Sequence, residues 1–169
     1  TARGTWLEGA FREEFEFKVE DAIINGSGAG MPLGILNSGA VITVAKETSQ
    51  AAATILSANI TKMKSRLAPR SWRNAVWFIN QDVEPQLYTL HVAVKNVAGS
   101  ENVGGFASPP VTYVPPGTQG NEYGLLMGRP VIPVEYCATL GTAGDIVLAD
   151  LSQYLGIDKD SVDAQVSIH

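Results

Sequence analysis

The chain reads as an α+β protein, on three observations. Apolar residues recur at helical spacing over the first twenty-five positions and again over 56–67. Short apolar runs of strand length, bounded by turn residues, follow at 75–79 and 146–149. The helical and strand-like segments do not alternate regularly, as a doubly wound parallel sheet would require, and no internal repeat is present. An apolar content of 45% against 17% charged residues belongs to a folded chain, and 169 residues suffice for one core or two small lobes.

The first element is a helix over about 6–24. Leu7, Phe11, Phe15 and Val19 recur every four residues and Ile23 continues the series, which places them on one stripe. Glu13, Glu14, Glu16, Lys18, Glu20 and Asp21 fall mostly on the other face. At 1.5 Å per residue the helix is roughly 28 Å long, which suits a spine, with the stripe expected to be buried along a sheet or loop. Asn25 and Gly26 are the residue types best able to take the left-handed conformation that ends a helix. The run Ala22-Ile-Ile-Asn-Gly-Ser-Gly-Ala-Gly-Met-Pro-Leu-Gly-Ile-Leu36 then turns and becomes apolar.

Residues 40–45 are apolar and β-branched, and predict a strand. Leu56, Ile60, Met63 and Leu67 mark a second amphipathic helix that stops before Pro69. Residues 75–79 are continuously apolar, as in a strand buried on both faces. Asp82 is the expected N-cap of a short helix through Leu90, with Pro85 in its first turn. Residues 98–124, rich in glycine and proline, predict a long loop with one short strand at 111–114. One or two strands follow around Gly128-Arg129-Pro130, then a turn at 141–144, a strand at 146–149 and another at 154–157. Val162, Ala164, Val166 and Ile168 alternate with polar residues as in a half-buried strand. The chain starts at Thr1 in the run-up to a helix and stops at His169 within that patterned strand, so further sequence is expected on both sides.

The search for chemistry is nearly empty. Gly26, Gly28 and Gly30 suggest a phosphate-cradling loop, and a small-molecule-binding enzyme built on it is the distant alternative. Phosphate loops, however, lead from a strand into a helix, whereas these glycines follow a helix, and no Gly-Lys-Ser/Thr comes after. His91 stands near the end of a predicted helix, where a structural role is the ordinary one. Cys137 is the single cysteine, with no cysteine or histidine near it in sequence for a metal site, and reads as a buried thiol. Asp158, Asp160 and Asp163 lack the pattern of a calcium loop. No catalytic, cofactor or metal site is therefore expected. No apolar run approaches the ~20 residues that span a bilayer, and a net charge of −5 gives no support to general nucleic-acid binding.

Charge is distributed unevenly. Lys62, Lys64, Arg66, Arg70 and Arg73 lie in one stretch without an acid, while Asp145, Asp150, Asp158, Asp160 and Asp163 lie in another beside Lys159 alone. Two solvated faces would explain this. The alternative is a head-to-tail subunit interface in which one patch meets the other and closes a ring.

The Asn-Gly turn followed by Pro32-Leu-Gly-Ile-Leu36 resembles a signature of major capsid proteins of tailed bacteriophages with the HK97-like fold. Trp77-Phe-Ile-Asn80, Leu126-Met-Gly-Arg-Pro-Val-Ile-Pro133 and Gly144-Asp-Ile-Val-Leu-Ala-Asp-Leu-Ser-Gln-Tyr154 resemble further family segments in the family's order. The resemblance implies a structural shell protein without catalysis or cofactor, which assembles with itself into pentamers and hexamers and meets packaged DNA only indirectly. Its place would be the virion, with the host cytoplasm during assembly. It further implies that 1–48 supply the spine helix and following strand of a peripheral domain, 49–143 an axial domain, and 144–169 a return toward the periphery. The family's N-terminal arm, its long hairpin before the spine helix and a complete C-terminal sheet have no counterpart here. An encapsulin-type compartment shell is the alternative within the same fold.

Overall fold

The computed structural model describes residues 2–90, 92–95, 102–107, 113–117 and 120–156, with backbone alone for 2, 92–95 and 102–107. The predicted strand at 162–168, both histidines and Asp158, Asp160 and Asp163 lie outside the described residues.

The centre is a five-stranded sheet built around the continuously apolar run. Strand β1 (Val76–Ile79) pairs in parallel with β6 (Arg129–Pro133) and antiparallel with β7 (Ile146–Ala149). Strands β4 (Tyr113–Val114) and β5 (Gly124–Leu126) continue the sheet beyond β6, giving the order β4-β5-β6-β1-β7. A separate two-stranded sheet joins β2 (Val92–Lys95) to β3 (Asn102–Ala107). Strand β3 lies where the glycine content predicted loop, because two glycines do not stop a segment whose partner is close in sequence. Of the strand predicted at 111–114, Tyr113 and Val114 are strand and the rest lies outside the described residues.

The period-2 rule sorts this sheet into two cores. Trp77 stands opposite Val131 and Leu148, and Phe78 opposite Ile132 and Val147. Trp77, Ile79, Leu126 and Val131 therefore face one way. There they pack with Ile60 of helix α2 (Ser57–Arg66), with Val83, and with Leu87 of helix α3 (Glu84–Tyr88). Phe78, Val147 and Ala149 face the other way, onto Cys137 and Ile24 of helix α1 (Ala2–Asn25). The turn between β5 and β6 places Met127 (φ 52°) and Gly128 (φ 77°) in the left-handed region, the geometry that two-residue hairpins need.

Several expectations are corrected. Residues 41–47 form no strand: apart from the Val41 amide, which bonds Ser38, and the Glu47 amide, which bonds the Gln50 side chain, their N–H groups find no partner among the described residues. β-branched composition favours a strand only where a second strand is available. Asn80, not Asp82, caps the next element: its side-chain oxygen accepts from the Asp82 amide, and a 3-10 turn leads into α3. Of the strand predicted at 154–157, residues 154–156 follow the 3-10 turn Leu151–Gln153 without regular structure, and 157 lies outside the described residues.

Candidate assembly surfaces

Helix α1 has 24 residues, about 36 Å at 1.5 Å each. Its stripe is not buried: Phe11 is 72% and Phe15 68% exposed, and Trp6, Leu7 and Val19 are exposed as well. Spacing places side chains on one face but does not supply a surface to cover them, and only the last turns meet the sheet. Ile24 enters the core, Phe17 packs edge-on to Tyr136 at 6.0 Å, and the Tyr136 hydroxyl lies 3.4 Å from Glu20. Burial first and Glu20 second push the Tyr136 phenol up to about 12. In the monomer Phe15→Ala should change the unfolding free energy by less than about 1 kcal/mol, the size of an ordinary surface change. Denaturant titration checks this, and a loss of 3 kcal/mol would mean that the stripe is covered.

The glycine-rich run is a junction, not an anion cradle. Asn25 and Gly26 do not take the left-handed conformation; Gly28 (φ 79°) and Gly30 (φ 70°) do. The chain doubles back on itself through a Ser27–Leu33 bridge, with the Gly28 amide bonding Pro32 and the Gly34 amide bonding Gly26 at 2.8 Å. Gly26 and Gly34 are needed for close approach. A Cβ on Gly26 would run into the Pro32 and Ala22 carbonyl oxygens, and one on Gly34 into the Gly26 amide and the Ile24 carbonyl. The Asn37 amide donates to the Asn25 and Gly26 carbonyls, which satisfies acceptors that a helix end leaves open. Asn25 donates to Tyr136 O at 2.7 Å, tying α1 to the segment after β6. The part played by Tyr136 gave no sequence signal, while Asn37 could have been suspected from its place directly after the apolar run.

The charged residues are scattered over different tasks. Lys62 pairs with Glu47 at 2.5 Å, and the Lys64 ammonium lies 4.7 Å from the Trp72 ring centre. Arg129 also approaches that ring and donates to the Arg73 carbonyl. Arg66, Arg70 and Arg73 are exposed. Asp145 accepts from the Gly141 and Ile146 amides and so closes the turn before β7. Asp150 accepts from the Ser152 hydroxyl at 2.6 Å and the Ser152 amide at 3.1 Å. That hydroxyl, first, holds the Asp150 carboxyl below its usual range. This cap is therefore present above ordinary carboxylate pKa values and lost as pH falls through the lowered one. Among the described residues no ion pair joins the basic set to the acidic set. Arg66, Asp145 and Asp150 line one open groove of about 1030 Å³.

Elsewhere the chemistry is structural. Cys137 is buried, and burial, with Asp145 adding to it, pushes its thiol up to about 11. Tyr113 donates to Glu84 at 2.9 Å, and burial together with that carboxylate holds its phenol well above the usual range. Among the described residues there is no group of acids, cysteines or histidines able to hold a metal, and no helix long and apolar enough to cross a membrane.

The model of the phage capsid family matches residues 4–169. No curated protein matches the chain. Among solved structures, the chain is similar to one described as the capsid of an empty GTA particle computed with C5 symmetry. The two share 20% identity with a TM-score of 0.54. The alignment covers 87% of this chain and 47% of that one, so this chain spans about half the length of its structural neighbour. At that identity the likeness shows the fold, a mixed α+β architecture consistent with the HK97-like fold that the resemblance implied.

Proposed function

The chain belongs to the phage capsid family, and from that premise we propose that it is part of the major capsid protein of a tailed phage or prophage. It would build the pentamers and hexamers of an icosahedral head and meet packaged DNA only indirectly. The observation that carries this reading is the family match across nearly the whole chain. Membership points to a structural protein, one that works by self-assembly.

Within that reading, residues 1–48 serve as the spine of a peripheral domain, 49–143 as an axial domain around the five- or sixfold axis, and 144–169 as the return. Support comes from the junction at Asn25 and Tyr136, where a projecting helix is tied to a compact sheet. The exposed stripe of α1 gives such a spine an apolar face for neighbours or further chain to cover, since contiguous exposed apolar surface marks interaction sites.

The ring contact is assigned to the basic stretch Lys62, Lys64, Arg66, Arg70 and Arg73 meeting the acidic stretch of Asp145, Asp150, Asp158, Asp160 and Asp163 on the next subunit. The exposed guanidinium groups of Arg66, Arg70 and Arg73 form no ion pair among the described residues, so their charge remains available. Rim charges steer association and are screened by salt. Arg66→Glu with Arg70→Glu should weaken self-association at low salt and flatten its salt dependence, as read by light scattering. Unchanged association and unchanged salt dependence would remove this contact from the reading. Virion localisation follows from the capsid role, with the host cytoplasm as the site of assembly.

A further inference from the structure

Asn25-Gly26 is the one Asn-Gly pair in the chain. That pair is chemically labile, because glycine carries no side chain to keep its amide nitrogen away from the preceding asparagine. The Gly26 nitrogen attacks Cγ of Asn25, an N–Cγ bond forms and the Cγ–Nδ2 bond breaks. Ammonia leaves with the proton that Gly26 gives up, and a succinimide ring remains. Water then opens the ring at either carbonyl, to aspartate or isoaspartate. Asn25 is exposed, so water reaches it. Gly26 is not replaceable by a safer residue, since any Cβ there would run into the Pro32 and Ala22 carbonyl oxygens.

We propose that Asn25 is a latent deamidation site: the folded junction holds the pair unreactive, opening of the junction starts the reaction, and the product cannot re-form the tie between α1 and the segment after β6. Every group the reaction must move is held. The Gly26 N–H, which would supply the nucleophile, donates to the Ala22 carbonyl at 2.9 Å as the last helical bond of α1. The leaving nitrogen of Asn25 donates to Asp21 Oδ1 and to Tyr136 O, each at 2.7 Å. The backbone on both sides of the attacking nitrogen is pinned as well. The Asn37 side chain donates to the Asn25 and Gly26 carbonyls, and the Gly34 amide donates to the Gly26 carbonyl at 2.8 Å. Attack therefore waits on local opening. Once formed, a carboxylate at 25 can only accept hydrogen bonds, and its two former partners are acceptors too. The lesion thus converts a transient opening into a permanent loosening of α1, whatever the chain assembles into.

The test ages the 169-residue chain at neutral pH and follows aspartate and isoaspartate at position 25 by peptide mapping and mass spectrometry. The folded chain should deamidate there at least about tenfold more slowly than the same chain unfolded in urea. Asn37→Ala removes two of the pins without touching the reacting atoms and should speed the reaction in the folded chain by about threefold or more. Gly34→Ala, which crowds the same junction, should act in the same direction, and Gly39→Ala, in open space, should match the parent. Equal rates in the folded and urea-unfolded chain would overturn the protection. Parent-like rates in both Asn37→Ala and Gly34→Ala would overturn the gating by junction opening. The consequence is read separately with Asn25→Asp, the product made directly. Amide exchange in the last turn of α1 should be faster in this variant, while exchange at β1 stays as in the parent. Unchanged exchange at the end of α1 would overturn the claim that deamidation releases the helix.

Discussion

Trp77→Ala should destabilise the chain by about 3–5 kcal/mol, the cost of deleting a large buried aromatic. Trp77 is fully buried at the centre of β1, between Val131 on one side and Leu148 on the other. Its indole N–H donates to Leu126 O at 3.1 Å, so truncation removes both the packing and the partner of a buried carbonyl. Typical domains hold only about 5–15 kcal/mol in all, and the variant should lose a large share of its cooperative unfolding transition. Trp77→Phe keeps much of the volume and loses the hydrogen bond, so it should fall between. A denaturant midpoint for Trp77→Ala within about 1 kcal/mol of the parent would contradict the placement of this core.

The second large effect is expected at Gly34. A Cβ there would stand 2.6 Å from the Ile24 carbonyl oxygen and still closer to the Gly26 amide, both of them backbone atoms that cannot rotate away. Gly34→Ala should therefore force residues 26–34 off the end of α1, break the Gly34–Gly26 hydrogen bond and disturb the two Asn37 contacts. A loss of about 1–3 kcal/mol is the scale of overpacking. Gly39, with open space around its Cβ position, is the control and should tolerate alanine. Amide exchange at the C-terminal turn of α1 separates the cases: faster exchange in Gly34→Ala alone is expected. Equal behaviour of the two variants would show that the close approach is not maintained in solution.

The fold was legible where local pattern and final environment agree. The run 75–79 is apolar on every residue because β1 has a core on each side, and 146–149 reads as a strand for the same reason. The second helix was visible from Leu56, Ile60 and Met63, of which Ile60 is fully buried and Met63 packs against the core. Legibility failed where the sequence states a propensity that the chain itself does not satisfy. The α1 stripe and residues 41–46 both carry the pattern of buried elements, and both lie open among the described residues. Buried pattern without burial is what an assembling subunit should show, since its sequence is fitted to neighbours as well as to itself. The charged patches were legible only as composition. The geometry gives Lys62, Asp145 and Asp150 local work within the chain, which no spacing rule would have shown.

Assembly itself is the direct test. Electron microscopy of the complete gene product should show closed icosahedral heads whose five- and sixfold capsomers place the β4-β5-β6-β1-β7 sheet around the axes, with α1 running peripherally. Cargo-filled compartments lacking DNA would replace the phage head with an encapsulin-type shell. A product that stays monomeric at every concentration and salt tried would contradict the capsid reading itself.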